Sequence, residues 1–397
     1  MLETTTNIPK LLSPTGDESP FCHLLPVLPN ELILEILLRV PVRSLLLFKC
    51  VCKSWKILIS DPQFAKYHLF TSTSDPQFAK YHLFTSTSDP NMIHQRVVYD
   101  ILHQRDIVSF SVQSLFQNPS NPCKPRSLRM SHYYNIVGSC NGLLCLSRFK
   151  KGFYRLKLWN PCTGLKSKRL LIGYYSDDFY FYGLGYDHVN HRYKVVASVE
   201  DWGEIETKIY SFGSNSCTVI QNQNFRMLSE HPTRMQGKFV SGTLNWIVKR
   251  GKSDDQWVIL SLDMVTEIFG EVFLPEVDED GDKICDPVLG ISRNCLCVCF
   301  FDSKNTHWTV LLMKEYGVRD SWIKLVMTPH IDLLRTYPVF EPLYISENGV
   351  VLLRTTLRNH LILYNSNDGR LGYPRIGGKH SFNNMHIFLE SLVSPEC

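Results

Sequence analysis

The stretch SCNGLLCLSRFKKGFYRLKLWNPCTG, residues 139–164, sets out two strands with a turn at either end. One apolar run, NGLLCL, leaves the Asn-Gly turn at Gly142, and a second, KLWNP, ends on the polar turn at Asn160. Short apolar and aromatic runs between such turn formers read as strands rather than helices. The opening run recurs as RYKVVASV at Tyr193, GTLNWIV at Gly242, NCLCVCF at Cys295 and NGVVLLR at Gly349, at intervals of 51, 49, 53 and 54 residues. The closing run recurs as KIYSF at Ser211, LSLDM at Asp263, LLMKE at Lys314 and LYNSND at Asn365, at intervals of 51, 52, 51 and 51.

A further apolar run follows each closing turn, as in EIFGEVFLP, SWIKLV and RLGYPRI, so a unit holds at least three strands. A period near 50 with several strands per unit predicts the blades of a kelch-type β-propeller. Five units are legible. A further blade is expected from VVYDIL and DIVSFSV (residues 97–112) together with the last strand, HIFLESLV, so that both ends of the region close the ring. The other architecture open to such a pattern is a β-sandwich of irregular strands, because the repeats share period more than residues.

Ahead of the β region the texture is helical. LPNELILEILLRV (28–40) starts at Pro29-Asn30 and stops at Pro41, and SLLLFKCVCKSWKILIS (44–60) and DPQFAKYHLF (61–70) follow it. Three helices in this span predict a small bundle. The fourteen residues 61–74 then recur letter for letter as 75–88. Phe64 and Tyr67 of the first copy can close the bundle, whereas Phe78 and Tyr81 have no second slot, so the second copy reads as a duplication tolerated in a linker.

Composition narrows the class. The chain has 397 residues, 44% hydrophobic, with 42 Lys and Arg against 38 Asp and Glu. A formal charge of +4 with no long basic block does not indicate a nucleic-acid surface, and no apolar run reaches the ~20 residues of a membrane span. The N-terminus lacks the grading of a signal peptide. Thirteen cysteines, an odd number, and the absence of any Asn-x-Ser/Thr sequon suit a reducing compartment. A soluble, intracellular protein is expected.

In residues 31–40 only Glu31, Glu35 and Arg39 are charged, four apart and drifting ~40° per step around a helix. The remaining arc is apolar and far wider than the ~100° stripe that one core requires. Leu45, Leu46, Leu47, Phe48, Val51, Trp55, Ile57, Leu58 and Ile59 repeat the surplus farther on. Such a surface marks either a partner interface or a face packed on the β region. Periodicity does not separate the two.

The motif does. LPNELILEILLRVPVRSLLLFKCVCKSWKILISDPQF resembles the F-box almost throughout, in its Leu28-Pro29 opening, its Pro41-Val42-Arg43-Ser44-Leu45 corner and its run to Trp55. The stretches SCNGLLCL, LWNPCTG, YGLGYDHVNHRYKVV, GTLNWIV, LSLDMVTE and FLESLVSP are similar to the F-box-associated, kelch-like domain of plant F-box proteins. The resemblance implies an F-box (24–70) and a propeller-like substrate-recognition domain (95–392); residues 1–23, which it does not cover, are expected to be a disordered N-terminus, and 71–94 a linker with the duplication. It also implies a Skp-type adaptor bound through Leu28, Pro29, Leu32, Ile33, Ile36, Leu37, Val40, Pro41, Leu45, Val51 and Trp55, and through that adaptor a cullin and a RING subunit. The β domain would select a protein for ubiquitination, in the cytoplasm or nucleus. The alternative is a propeller adaptor or enzyme whose helices only brace the β domain.

No catalytic residue, metal site or cofactor is expected. Cys295, Cys297 and Cys299 share one strand face, but the interleaved Leu296, Val298 and Phe300 make both faces apolar, which suits core packing. Cys50 and Cys52 on a helix point apart. The acidic run 278–282 carries Lys283 where a calcium loop needs glycine. Asp187, His188 and His191 read as a turn stabilised by Asp and Asn.

Overall fold

The computed structural model describes residues 28–73 and 95–395, except 102–105, 121–125, 131, 133, 174–178, 202–203, 215, 221–224, 227–235, 251–255, 276–283, 293, 303–306, 329–339, 347, 356–359 and 375–381. The expectations for residues 1–23, for the second copy 75–88 and for the acidic run 278–282 lie outside the described residues, as does the expected linker beyond residue 73. The chain divides into two compact units, the first ending at Leu37 and the second running from Leu38.

Within the second unit the described strands form six sheets. Blade I comprises Asn135–Cys140, Leu143–Lys150, Phe153–Trp159 and Leu170–Gly173, and blade II Phe179–Asp187, Arg192–Asp201, Glu204–Ser211 and Cys217–Ile220. Blade III holds Lys238–Val240, Thr243–Arg250, Trp257–Asp263 and Phe269–Phe273, with Phe225–Arg226 also paired to its second strand. Blade IV is Ile284–Ser292, Cys295–Asp302, His307–Met313 and Trp322–Thr328, and blade V is Phe340–Ile345, Val350–Thr355, Leu361–Asn365 and Leu371–Gly372. All pairings within these blades are antiparallel.

Blade VI draws on both ends of the domain. Its first strand is the chain's last, Phe382–Leu389, which pairs with Gln95–Ile101; Asp106–Ser111 and Arg126–Arg129 follow outward. The first strands of the six blades touch in a closed cycle, I to II to III to IV to V to VI and back to I. That cycle is a β-propeller, and its closure from both ends follows the sequence reading. It rules out the sandwich.

The repeat period has a local cause. Asn141 and Gly142 both adopt positive φ (51° and 77°), as do Ser241 and Gly242 (51° and 80°), and each pair closes a two-residue hairpin between the first and second strands of its blade. At the closing anchors Asn160 Oδ1 accepts from the amides of Cys162 and Thr163, Asp263 Oδ1 from Val265 and Thr266, and Asn365 Oδ1 from Asn367. At Ser211 and Lys314 the backbone closes the turn instead, through Ser211 N to Ser216 O and Lys314 N to Ser321 O.

Each blade is sandwiched between its neighbours, which is why its strands are apolar on both faces. Cys297 and Cys299 pack with Trp308, Phe340 and Val351, whereas Leu296, Val298 and Phe300 of the same strand pack with Val240, Ile247 and Ile259. Burial pushes both thiols far up, so these cysteines are packing residues.

The helices ahead of the propeller are α1 (Asn30–Leu38), α2 (Val42–Phe48), α3 (Lys53–Ser60) and α4 (Pro62–Thr73). The single helix expected over 44–60 is thus two. Cys50 N and Val51 N bond back to Leu47 O and Phe48 O in a tight turn, and Cys52 is extended (φ −154°, ψ 166°) as it starts α3. Cys50 and Cys52 therefore lie at a break, not on a helix. In α4, His68 Nε2 donates to Val40 O at 2.9 Å, a tie across the Pro41 corner that the sequence reading did not foresee.

Candidate functional site

In the first unit, Leu28, Leu32 and Ile36 recur every fourth residue and are 51%, 45% and 51% exposed. Four-residue spacing holds side chains on one side of a helix, so Leu32 and Ile36 present an apolar face of α1 beside the exposed Glu31 and Glu35, and Leu28 lies two residues ahead of the helix. Pro29 is also exposed, and Ile33 is half-buried. Leu37, one residue beyond Ile36 and so ~100° around the helix, is enclosed at 1%.

In the second unit, Val40 and Trp55 are half-buried and Pro41 and Val51 exposed, whereas Leu45 is fully enclosed. Leu37 and Leu45 were both expected to face a partner, yet their side chains are shut away from solvent. An arc that is apolar nearly all round carries no sign of which part turns outward. The converse misses are Leu47 and Ile57, each 72% exposed; both were visible in the apolar surplus but were not chosen. The Phe48 and Trp55 rings meet in a tilted contact at 5.5 Å between centroids, joining α2 to α3.

Eight of the eighteen exposed large apolar side chains among the described residues fall between Leu28 and Phe70, a small part of the chain. Scattered exposed apolar residues need no explanation, but such a concentration marks an interaction surface. Charge adds little chemistry here. Burial lowers the pKa of Lys49, with Lys56 adding to the effect.

The other flagged residues are structural. Asp187 Oδ1 accepts from the amides of Val189 and Asn190, and its Oδ2 accepts from Asn190 Nδ2 and meets Lys194 Nζ at 2.8 Å. Burial pushes the Asp187 carboxyl up, but these partners outweigh it and hold the group well below the usual carboxylate range. His191, at φ 53°, bonds the Tyr186 hydroxyl through Nδ1. Among the described residues no three His, Cys, Asp or Glu side chains gather as a metal site requires, and no helix is long and apolar enough to cross a membrane.

Comparison with known proteins agrees with this layout. Residues 25–67 match the F-box domain model, and residues 93–395 match the model of the F-box associated beta propeller domain. An F-box/kelch-repeat protein of Arabidopsis thaliana is 33% identical over 385 residues, covering 93% of this chain and 96% of that protein. The F-box protein CPR1 of the same plant is 26% identical, covering 92% of this chain and 88% of its own length.

Proposed function

Because the chain belongs to the F-box proteins that carry an F-box-associated β-propeller domain, we propose that it is a substrate-receptor subunit of a Skp-cullin-F-box ubiquitin ligase. Residues 24–70 bind the Skp-type adaptor, and through it the cullin and RING subunits. Residues 95–392 bind the protein to be ubiquitinated, and 71–94 join the two. The chain contributes recognition rather than catalysis, and it works in the cytoplasm or nucleus. The observation that carries the reading is the half-exposed pair Leu32 and Ile36 on α1, with the exposed Leu28 just ahead of the helix, inside the segment that matches the F-box.

Of the eleven adaptor-facing positions expected, Leu28, Pro29, Leu32, Ile36, Pro41 and Val51 are accessible as they stand; Leu37 and Leu45 act through the packing of the helices. The bracing alternative has in its favour the 3.1 Å bond from Arg43 Nε on α2 to Glu390 Oε1. It offers no role for Leu32 and Ile36.

Replacing Leu32 and Ile36 with Asp tests the proposal. Two carboxylates at a closed interface lose their hydration without gaining partners, which costs several kcal/mol. Co-purification of a Skp-type adaptor should be lost while the circular dichroism of the β domain is unchanged. A folded double variant that still carries the adaptor refutes the assignment.

A further inference from the structure

Residues 107–176 hold eleven Lys and Arg and no Asp or Glu, in a chain where the two kinds nearly balance at 42 and 38. The run takes in the outer strand of blade VI and the whole of blade I. No segment within it, loops included, supplies a carboxylate to answer its cations.

The outer strands of blade I gather these cations onto one face. Arg148 stands directly opposite Arg155, and Leu146 opposite Lys157; Arg155 is in turn opposite Leu171. Opposed residues share a face, and Leu146 packs with Ile107 and Phe388 of blade VI, so this is the face turned toward that blade. Outward from the contact it becomes basic. Arg169 and Lys166, both exposed, lie near enough to Lys157 that their charges add to burial in lowering its pKa.

Such an arrangement is costly in the free chain. Like charges directly opposite across a strand pair destabilise it, and Arg155 Nε is buried without a hydrogen-bond partner. Among the described residues no carboxylate forms an ion pair with any of these cations. The acids of blade VI, Asp100 and Asp106, belong to its two middle strands, and Asp106 stands opposite Arg129. In sequence the next acids after the run are Asp177 and Asp178.

Charge complementarity calls for an acidic partner, and two features favour protein over a phosphate polymer. Phe153 and Leu171, 49% and 58% exposed, share the face with Arg155. Leu170–Gly173 is also the last strand of its sheet, and a sheet edge offers backbone bonds that an extended polypeptide can take up and a nucleic acid cannot. We propose that the basic face and outer edge of blade I dock an extended acidic segment of another protein, with carboxylates on Arg148, Arg155, Lys157 and Arg169 and apolar side chains on Phe153 and Leu171. This names the class of protein that the β domain takes, and it rests on the receptor reading only for the ubiquitination that follows binding. Peptide binding is read without the adaptor, so its failure and a failure of adaptor binding are separate results.

The test uses the full chain and fluorescence anisotropy of a labelled, end-blocked peptide, Asp-Leu-Glu-Phe-Glu-Val-Asp, with its amide counterpart Asn-Leu-Gln-Phe-Gln-Val-Asn as control. The wild type should prefer the acidic peptide, and added salt should weaken the preference. Arg148→Gln combined with Arg155→Gln should weaken binding about tenfold while the melting temperature holds, because the opposed charges are gone. Lys166→Gln with Arg169→Gln, both exposed, probes the same face should the first variant melt early. Lys314→Gln with Lys324→Gln on blade IV, also exposed, removes the same net charge and should leave binding unchanged. The proposal is overturned if the wild type shows no preference for the acidic peptide, which would mean that acids of the chain itself, such as Asp177 and Asp178, already answer this face. It is equally overturned if the blade IV variant loses as much binding, or if oligothymidylate or phosphatidylserine vesicles bind more tightly than the peptide, which reassigns the face to nucleic acid or membrane.

Discussion

His386 is held in a form that an unfolded chain would not keep. Burial, with the charges of Arg354 and Lys238 added, drives its folded pKa from the ordinary 6.5 down to about 3, so between these values the unfolded chain binds a proton that the folded chain refuses. Stability contributed by the neutral ring is therefore full above pH 6.5 and declines as pH falls. Between pH 6.5 and 5 the loss attributable to this one residue is about 2 kcal/mol. His68 drifts the same way, since burial lowers its pKa against the pull of the Val40 carbonyl. The measurement is accordingly a difference: denaturant unfolding of the wild type should weaken more steeply over that pH range than that of His386→Gln, which cannot titrate. Parallel pH slopes would show that the ring is protonated in the fold. None of the buried polar cluster around this ring was legible beforehand. Lys238, Glu341, Arg354 and His386 lie in four different strands, spread over nearly 150 residues with no motif spacing. The only sequence sign was a charge inside runs such as VVLLRTT, where both faces of the strand needed to be apolar.

At the scale of the element, the closing strand Phe382–Leu389 decides whether the ring is a ring. It supplies the pairing edge for Gln95–Ile101, and the segment after it is fastened to blade I: Asn160 Nδ2 donates to Ser391 O and Val393 O at 3.0 and 2.8 Å, and Ser391 Oγ donates to Asn141 O at 3.0 Å. A Cβ at Gly142 would fall on the Ser391 side chain and the Leu389 carbonyl. A chain ending at residue 380 should therefore lose its cooperative thermal transition rather than melt a few degrees lower, since it forfeits a full strand of ladder bonds and both edges beside it. A sharp, near wild-type melt by circular dichroism would show that five blades suffice. Blades and their closure were readable because Gly142, Gly242 and Gly349, together with Asn160, Asp263 and Asn365, mark turns that need those residue types. Short outer strands such as Leu371–Gly372 carry too few residues to register in a pattern. For the helices, the sequence showed that apolar surface was in excess. It did not show that Leu32 and Ile36 face out while Leu37 and Leu45 face in, because all four are large, apolar and set among others alike.

In the molecule as a whole, the six apolar clusters found among the described residues draw only on positions between Ile107 and Val393. The propeller therefore owns its core. A fragment spanning residues 93–397 should be a cooperatively melting, β-rich protein; it loses the Arg43–Glu390 pair, but Arg43 is half exposed, and such a pair contributes at most about 1 kcal/mol. A fragment recovered only as unfolded chain would mean that the helices complete the β domain. The joining of first and last strands in blade VI also reaches back to the ribosome. Roughly 280 residues separate Ile101 from Phe382, and at about 5–20 residues per second the opening strands of that blade wait some 15–60 s for their mate. The helical segment has left the exit tunnel long before then, so its apolar surface is open to a partner while the propeller is still an open arc with an unpaired edge.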